Sequence, residues 1–247
     1  ASQARIHLTA SPRENPASPP MFCMLLRKHL TGGRLTAIDQ PGLERAAILS
    51  FDVVDELGEP GRRRLAVECM GRYSNLILLD GQDRIIDCLR RVDMEMSERR
   101  QVLPGLFYRV PPAQEKADPL AVDGAAFDRL LARANPEGEA SGFLLDVFFG
   151  LSPLVCREIA HRGGGDGPVG DRTGPLREAF FAWQAEVGGG NFQPYMLSRD
   201  GKPSDFSYLP ILQYGVGVEG RLWDGFSSML DAFYETRERI ERVRQRG

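Results

Sequence analysis

Hydrophobic and polar positions along this chain change period several times, and each change predicts a change of element. Residues 16–33, PASPPMFCMLLRKHLTGG, place Phe22, Leu25, Leu26 and His29 or Leu30 at helical spacing. That predicts one short helix with a core-facing stripe. Ser18 is its expected N-cap, Pro19 and Pro20 its first turn, and Gly32-Gly33 its end. Residues 34–92 then read as five short runs: RLTAID, ERAAILSFDVVD, RLAVECMG, SNLILLD and RIIDCLRRVD. The turn signals QPG, LGEPG, GRYS and DGQD separate them. Five such runs predict an antiparallel meander, a twisted sheet or half-sandwich, and not a parallel α/β fold. RQVLPGLFYRVPP (100–112) reads as an extended, proline-stiffened lead into a second module.

From 118 to 187 the period becomes helical. DGAAFDRLLARAN, ASGFLLDVFFG, SPLVCREIAHRG and GPLREAFFAWQAEV each carry helical apolar spacing between short Gly/Pro connections. Gly150-Leu151-Ser152-Pro153 ends one helix, caps the next with Ser152 and starts it with Pro153. A helix-hairpin-helix has that geometry, and its hairpin amides hold a backbone phosphate. A tight helix turn without a phosphate reads the same way. RGGGDGPVGDRTG (162–174) is glycine-rich, but no strand leads into it and no G-K-[ST] follows. It is read as a flexible linker, not a P-loop or a dinucleotide fingerprint. Strand signals return with NFQPYMLS, a turn at Arg199–Lys202, and SDFSYLPILQY. SSMLDAFYETRERIERVRQR closes the chain as an amphipathic helix with Met229 or Leu230, Phe233, Ile240 and Val243 on one stripe. It reads as the opening turns of a coiled coil.

Composition narrows the function classes. Of 247 residues, 42% are hydrophobic and 26% charged, ordinary values for a globular chain. No apolar run reaches membrane-spanning length, so no membrane partner is expected. The opening residues ASQARIHLTASPREN lack a signal-peptide core. They carry no initiator Met and begin inside an apparent strand, ARIHLTA, so the chain is expected to be a fragment cut at both ends. Cys23, Cys69, Cys88 and Cys156 lie far apart, and His7, His29 and His161 are scattered. No zinc spacing results, and buried free thiols in a reducing cytoplasm are the expectation. No metal or cofactor is expected.

Catalytic chemistry finds no support: there is no G-x-S-x-G, no activated cysteine and no carboxylate pair in apolar surroundings. Asp80, Asp83 and Asp87 read as hairpin residues. Arginine-bearing segments do stand out: Arg27-Lys28, Glu44-Arg45, Arg62-Arg63-Arg64, Arg72 and Arg90-Arg91. The guanidinium fork suits phosphate. Arg72 sits in MGRYSN with Ser74 and Asn75 as candidate phosphate or ribose donors, although a polar turn needs no ligand. Arg27-Lys28 equally suits a helix C-terminus. The net charge of −3 argues against a non-specific nucleic-acid coat but not against a local basic patch.

Taken in order, PASPPMFCMLLRKHLTGGRL, QPGLER, ECMGRYSNLILLD, VLPGLFYRVPP, GLSPLVCREI and FSYLPILQY resemble the N-terminal half of the NFACT proteins. These are bacterial ribosome quality control factors of the RqcH type, many labelled fibronectin-binding A protein. The likeness runs from Ala1 to about Gln245. It implies an α+β fold with an antiparallel β-rich lobe like that of formamidopyrimidine-DNA glycosylases, a helix-hairpin-helix region, then a coiled coil. The implied boundaries are 1–117 with 191–222 for the β-rich lobe, 118–190 for the helical region and 223–247 for the coiled-coil start. The family's first strand and helix would precede Ala1.

The resemblance also implies a non-enzymatic, cytoplasmic RNA-binding adaptor. It would bind the large ribosomal subunit carrying a stalled nascent chain-tRNA and recruit alanine-type tRNA for untemplated tailing, the ribosome itself making the peptide bonds. The family's tRNA-recruiting Asp-Arg pair falls on Glu44 and Arg45, the acid one methylene longer than usual. Candidate RNA-backbone contacts are Arg27, Lys28, Arg72, Ser74 and Asn75. An alternative is a fibronectin-binding surface adhesin, against which the missing signal peptide and disulfide framework speak. A DNA-repair enzyme would share the fold plan only, and the proline amine nucleophile of those glycosylases has no counterpart at Ala1.

Overall fold

The structure is a computed structural model that describes residues 3–112 and 114–246. It is an α+β fold with two antiparallel sheets and two compact units. One unit comprises residues 1–6 and 13–113, the other 7–12 and 114–247.

The first unit opens with α1 (Met21–Leu30). Pro20, not Ser18, is its N-cap, with φ −60° and ψ 154° and no side-chain cap. Consecutive prolines explain the shift, because a residue that precedes proline is driven out of the helical region. Phe22, Leu25, Leu26, His29 and Leu30 form the half-buried stripe, while Met21 and Met24 face solvent and no residue of α1 is fully buried. The meander follows as β1 (Arg34–Asp39), β2 (Ala46–Val54), β3 (Pro60–Glu68), β4 (Asn75–Leu79) and β5 (Ile85–Cys88), in the spatial order β1-β2-β3-β4-β5. Register sets Ile48, Ala66, Ile77 and Cys88 opposite one another on one face. Val102 completes that core, and Val92 and Tyr108 pack against it. The 100–112 stretch therefore folds back on its own sheet through the Val92–Val102 and Arg84–Phe107 bridges.

The second unit is built on an aromatic core from α2 (Gly124–Leu131), α3 (Ala140–Val147), α4 (Pro153–Arg162) and α5 (Thr173–Gly188). Phe127, Phe148 and Phe180 meet with centroids 4.7 and 4.8 Å from Phe180, and Trp183 lies 5.7 Å from the same ring. Asp123 caps α2 by accepting the Ala126 amide at 2.7 Å, and Ser152 caps α4 through Val155 at 3.2 Å.

The glycine-rich 162–174 segment is pinned and not a free linker. Gly167 accepts the Ala140 amide, Val169 donates to Gly138 and is 2% exposed, and Arg172 bonds the Gly164 carbonyl. Gly163 allows a close approach there, since a Cβ would stand 3.1 Å from backbone atoms of Pro175 and Leu176 and would push them apart.

The strands β6 (Tyr195–Arg199), β7 (Lys202–Ser207) and β8 (Glu219–Leu222) form a separate sheet in the order β7-β6-β8. Its Leu197, and Leu209 and Ile211 just beyond β7, join the helical core. The expected grouping of 191–222 with the first sheet is thus corrected. Long-range packing decides this, and strand periodicity alone carries no record of which sheet a strand joins. Residues 7–12 also belong here and form no strand: Leu8 donates to Ser227, and Thr9 and Ala10 donate to Asp231 of α6 (Phe226–Arg246). Met229 and Phe233 of α6 pack on Met196 and Phe206.

Candidate nucleic-acid interface

The meander decides which charged residues become neighbours. Ala46 pairs with Glu68 and Glu68 with Asn75, so the 40–45 turn, the 69–74 turn and the segment after β5 all lie at one end of the sheet. The Arg45 carbonyl accepts the Cys69 amide at 2.8 Å, which ties the first two turns together. Arg45 is exposed, and its side chain has no hydrogen bond or ion pair among the described residues. Burial pushes the Cys69 thiol up, and the nearby Arg45 charge opposes this. Glu44 is half-buried; its carbonyl accepts from Gln40 and its amide donates to Pro41. Glu44 and Arg45 therefore form no pair with each other, and their side chains remain available for a ligand.

Arg72 and Tyr73 close the neighbouring 3-10 turn Gly71–Tyr73, where Gly71 adopts φ +56°, a conformation that costs a side-chain-bearing residue. Arg72 lies over the Tyr73 ring at 4.7 Å and donates to its hydroxyl at 2.6 Å. Arg90 sits 5.9 Å from the same ring and bonds the Arg72 carbonyl. Ser74 accepts the Met70 amide and donates to the Gly71 carbonyl, closing the turn on itself. Asn75 is 5% exposed; its amide donates to the Arg90 carbonyl while its oxygen accepts the Arg90 and Leu76 amides. Ser74 and Asn75 thus build the turn, and their polar atoms are already partnered.

Arg27 and Lys28 do not join this group. Lys28 lies 4.0 Å from Glu56 in the β2–β3 turn, at the opposite end of a nine-residue strand, and the Arg27 guanidinium approaches the Met24 sulfur at 4.0 Å. At about 3.3 Å per residue the two ends are roughly 30 Å apart. His29 beside them is held below its ordinary pKa by burial and by the Arg63 and Lys28 charges. Several other arginines have internal carboxylates: Arg64 meets Asp83, Arg34 meets Asp52, and Arg100 forms a two-pronged bond to Glu68 at 3.1 and 2.7 Å. Glu68 is 2% exposed and also accepts from Tyr108, whose hydroxyl pKa is raised by burial and then by the Glu68 charge. That trio is structural. Tyr73 is the neighbour that sequence reasoning did not single out, whereas Arg90 stood among the arginine-bearing segments; an Arg-Tyr pair in a Gly turn is the signal that marks it.

The first unit holds sixteen Lys/Arg against fourteen Asp/Glu, in a chain whose net charge is −3. The first unit, which contains this sheet end, thus has two more basic than acidic residues. Among the described residues no cluster of His, Cys, Asp and Glu suits a metal, and no helix is long and apolar enough to cross a membrane.

The family model for the NFACT N-terminal and middle domains matches residues 1–247. The chain belongs to the NFACT family. Among its relatives, "Rqc2 homolog RqcH" of Bacillus subtilis is 40% identical over 247 residues, covering all of this chain and 42% of that protein. "Ribosome quality control complex subunit 2" of Saccharomyces cerevisiae is 38% identical over 91 residues, 37% of this chain and 8% of that one. This NFACT chain thus spans under half the length of these curated relatives, and neither carries an enzyme's name. Two solved structures share its fold. The fibrinogen binding protein from Staphylococcus aureus matches at TM-score 0.73 and 31% identity, over 89% of this chain and 77% of that one. The N-terminal part of the fibronectin/fibrinogen-binding protein from Streptococcus suis matches at 0.73 and 27%, over 94% and 78%.

Proposed function

We propose that this NFACT chain is an RNA-binding, non-catalytic module of ribosome quality control, and that Arg45 is its principal tRNA contact. The observation that carries this reading is the sheet end itself. It gathers Glu44, Arg45 and Arg72 beside Arg90, and it leaves Arg45 without an internal partner in a chain alike over its whole length to an Rqc2 homologue. Arg45 supplies a bidentate fork to phosphate, and Glu44 accepts from a ribose hydroxyl or base edge. In the full reading the protein works in the cytoplasm on a large ribosomal subunit holding a stalled nascent chain-tRNA. It delivers alanine-type tRNA for untemplated tailing, and the ribosome forms the bonds. The plan resembling formamidopyrimidine-DNA glycosylases belongs to the same proposal. So does a phosphate-holding helix-hairpin-helix at α3–α4, supported by Gly150 at φ +76° and the Ser152 cap.

Arg45→Ala in the whole protein is expected to lower tRNA co-purifying with large subunits at least tenfold while the subunit association persists. Unchanged tRNA occupancy sinks the assignment. A second reading, fibronectin or fibrinogen binding, is favoured by the names of the two solved neighbours. Immobilised fibronectin and fibrinogen challenged with this chain, alongside fractionation of cells into ribosome pellets and envelope, separate the two readings.

A further inference from the structure

The second unit carries a cavity against one face of α3, with a volume of about 390 Å³. That size takes a small ligand or a few side chains. Phe143 and Val169, 7% and 2% exposed, form its floor together with the half-buried Val147. Glu139 and Asp146 stand exposed at its two ends. Neither carboxylate has a hydrogen bond or ion pair among the described residues, and no Lys or Arg lines the cavity.

Glu139, Gly142 and Asp146 follow helical spacing, so all three share this face. Internal packing does not account for Gly142. It is the third residue of α3, where glycine weakens a helix relative to alanine, yet a Cβ there would meet nothing within 4 Å. Bare backbone in open space, set between two unpaired anions, admits a partner chain more closely than any side chain would.

The spacing sets the pattern of that partner. From 139 to 146 is a rise of about 10 Å along the helix. An extended peptide turns every second side chain to one face, and its positions i and i+4 lie about 13 Å apart. Long basic side chains lean inward to close the difference, while the side chain at i+2 drops onto Phe143 and Val169. Charge agrees with this occupant. The second unit holds twenty Asp/Glu against fifteen Lys/Arg, so it draws a cationic segment, and the two carboxylates repel a phosphate backbone.

We propose that this cavity docks an extended segment of a partner protein with the pattern basic-x-apolar-x-basic. The two basic residues pair with Glu139 and Asp146, and the apolar one lies over Gly142. The site belongs to the other unit from Arg45 and does not rest on the RNA reading.

Fluorescence anisotropy of the chain with two labelled peptides of one composition tests this. One is Arg-Ser-Leu-Ser-Arg between glycines; the other, Arg-Arg-Leu-Ser-Ser, breaks the register. The first is expected to bind at least about fivefold more tightly. Glu139→Gln combined with Asp146→Asn should weaken it about tenfold and remove most of its salt dependence. Gly142→Leu, which fills the cavity with a side chain, should also weaken it about tenfold while the melting temperature holds or rises. Equal affinity for the two peptides, or no binding at low salt, overturns the proposal. So does either variant binding the first peptide as tightly as the parent does. If the parent self-associates in sedimentation and Gly142→Leu abolishes this, a second copy fills the cavity and the peptide assignment falls.

Discussion

Among the arginines of the first unit, Arg45 is one whose side chain touches no carboxylate among the described residues, and it alone of these stands at the turn beside Cys69. Arg64, Arg34 and Arg100 satisfy carboxylates of their own fold, whereas Arg45 stands exposed beside a turn. Residue identity alone did not separate them, since all are arginines in polar company. The cysteines show the same dependence on surroundings. Expected as four buried thiols, they divide: Cys88 and Cys156 are buried, while Cys23 and Cys69 are partly exposed, and all four are free.

Burial pushes the Cys156 thiol from 9.0 to about 12, with the Lys116 and Arg157 charges opposing it. The native state therefore keeps a proton that the unfolded chain releases between pH 9 and about 12. Stability from this thiol is complete below pH 9 and falls as pH rises across that window, by up to about 1.4 kcal/mol per unit. Cys156→Ala should flatten that alkaline fall in urea-melt midpoints measured across the range. An undiminished fall in the variant would refute the assignment.

At the scale of elements, local signals did well wherever a cap or turn residue acts on its own neighbours. Ser152 caps α4 and Pro153 starts it, as the sequence predicts. Between β6 and β7, Asp200 and Gly201 both adopt positive φ, +49° and +69°, the geometry of a two-residue hairpin turn. Ser152→Ala should cost about 1 kcal/mol, read as a drop in urea midpoint with the slope unchanged. A neutral outcome would mean that water replaces the hydroxyl at Val155.

Signals failed where two local preferences competed. Ser18 lost the cap of α1 to Pro20 because of the proline pair. The 162–174 glycines read as a linker because glycine marks both looseness and close approach. At Gly163 it is close approach, against the backbone of α5.

At the scale of the molecule, charge is partitioned more usefully than the net value suggests. The first unit is slightly basic within an acidic chain, so the proposed RNA contact at its sheet end does not require the whole surface to be coated in positive charge. Replacing Arg45 and Arg72 together by Ala should reduce the slope of log affinity against log salt for a single-stranded RNA by roughly 1.4, about 0.7 per lost phosphate contact. Fluorescence anisotropy across a salt series measures this, and an unchanged slope would show that neither arginine meets a phosphate. Both side chains are exposed, so thermal melting should not move.

The sequence by itself determined the kinds of element and their order: a helix, a five-strand meander, a helical block, a second set of strands and a charged final helix. Those follow from period-2 and period-3.6 patterning and from turn chemistry, which act between residues a few positions apart. The family resemblance at QPGLER put forward Glu44 and Arg45, and the MGRYSN turn put forward Arg72, as candidates. Only the tertiary structure decided that 195–222 forms its own sheet on the helical core, that residues 7–12 dock on α6, and that Lys28 lies at the far end of the sheet from Arg45. Only it showed that Arg90 meets Arg72 and Tyr73 at the turn before β4. The physical reason is common to all of these: strand register and side-chain packing join residues distant in the chain, and no local period encodes which distant partner a buried face will meet.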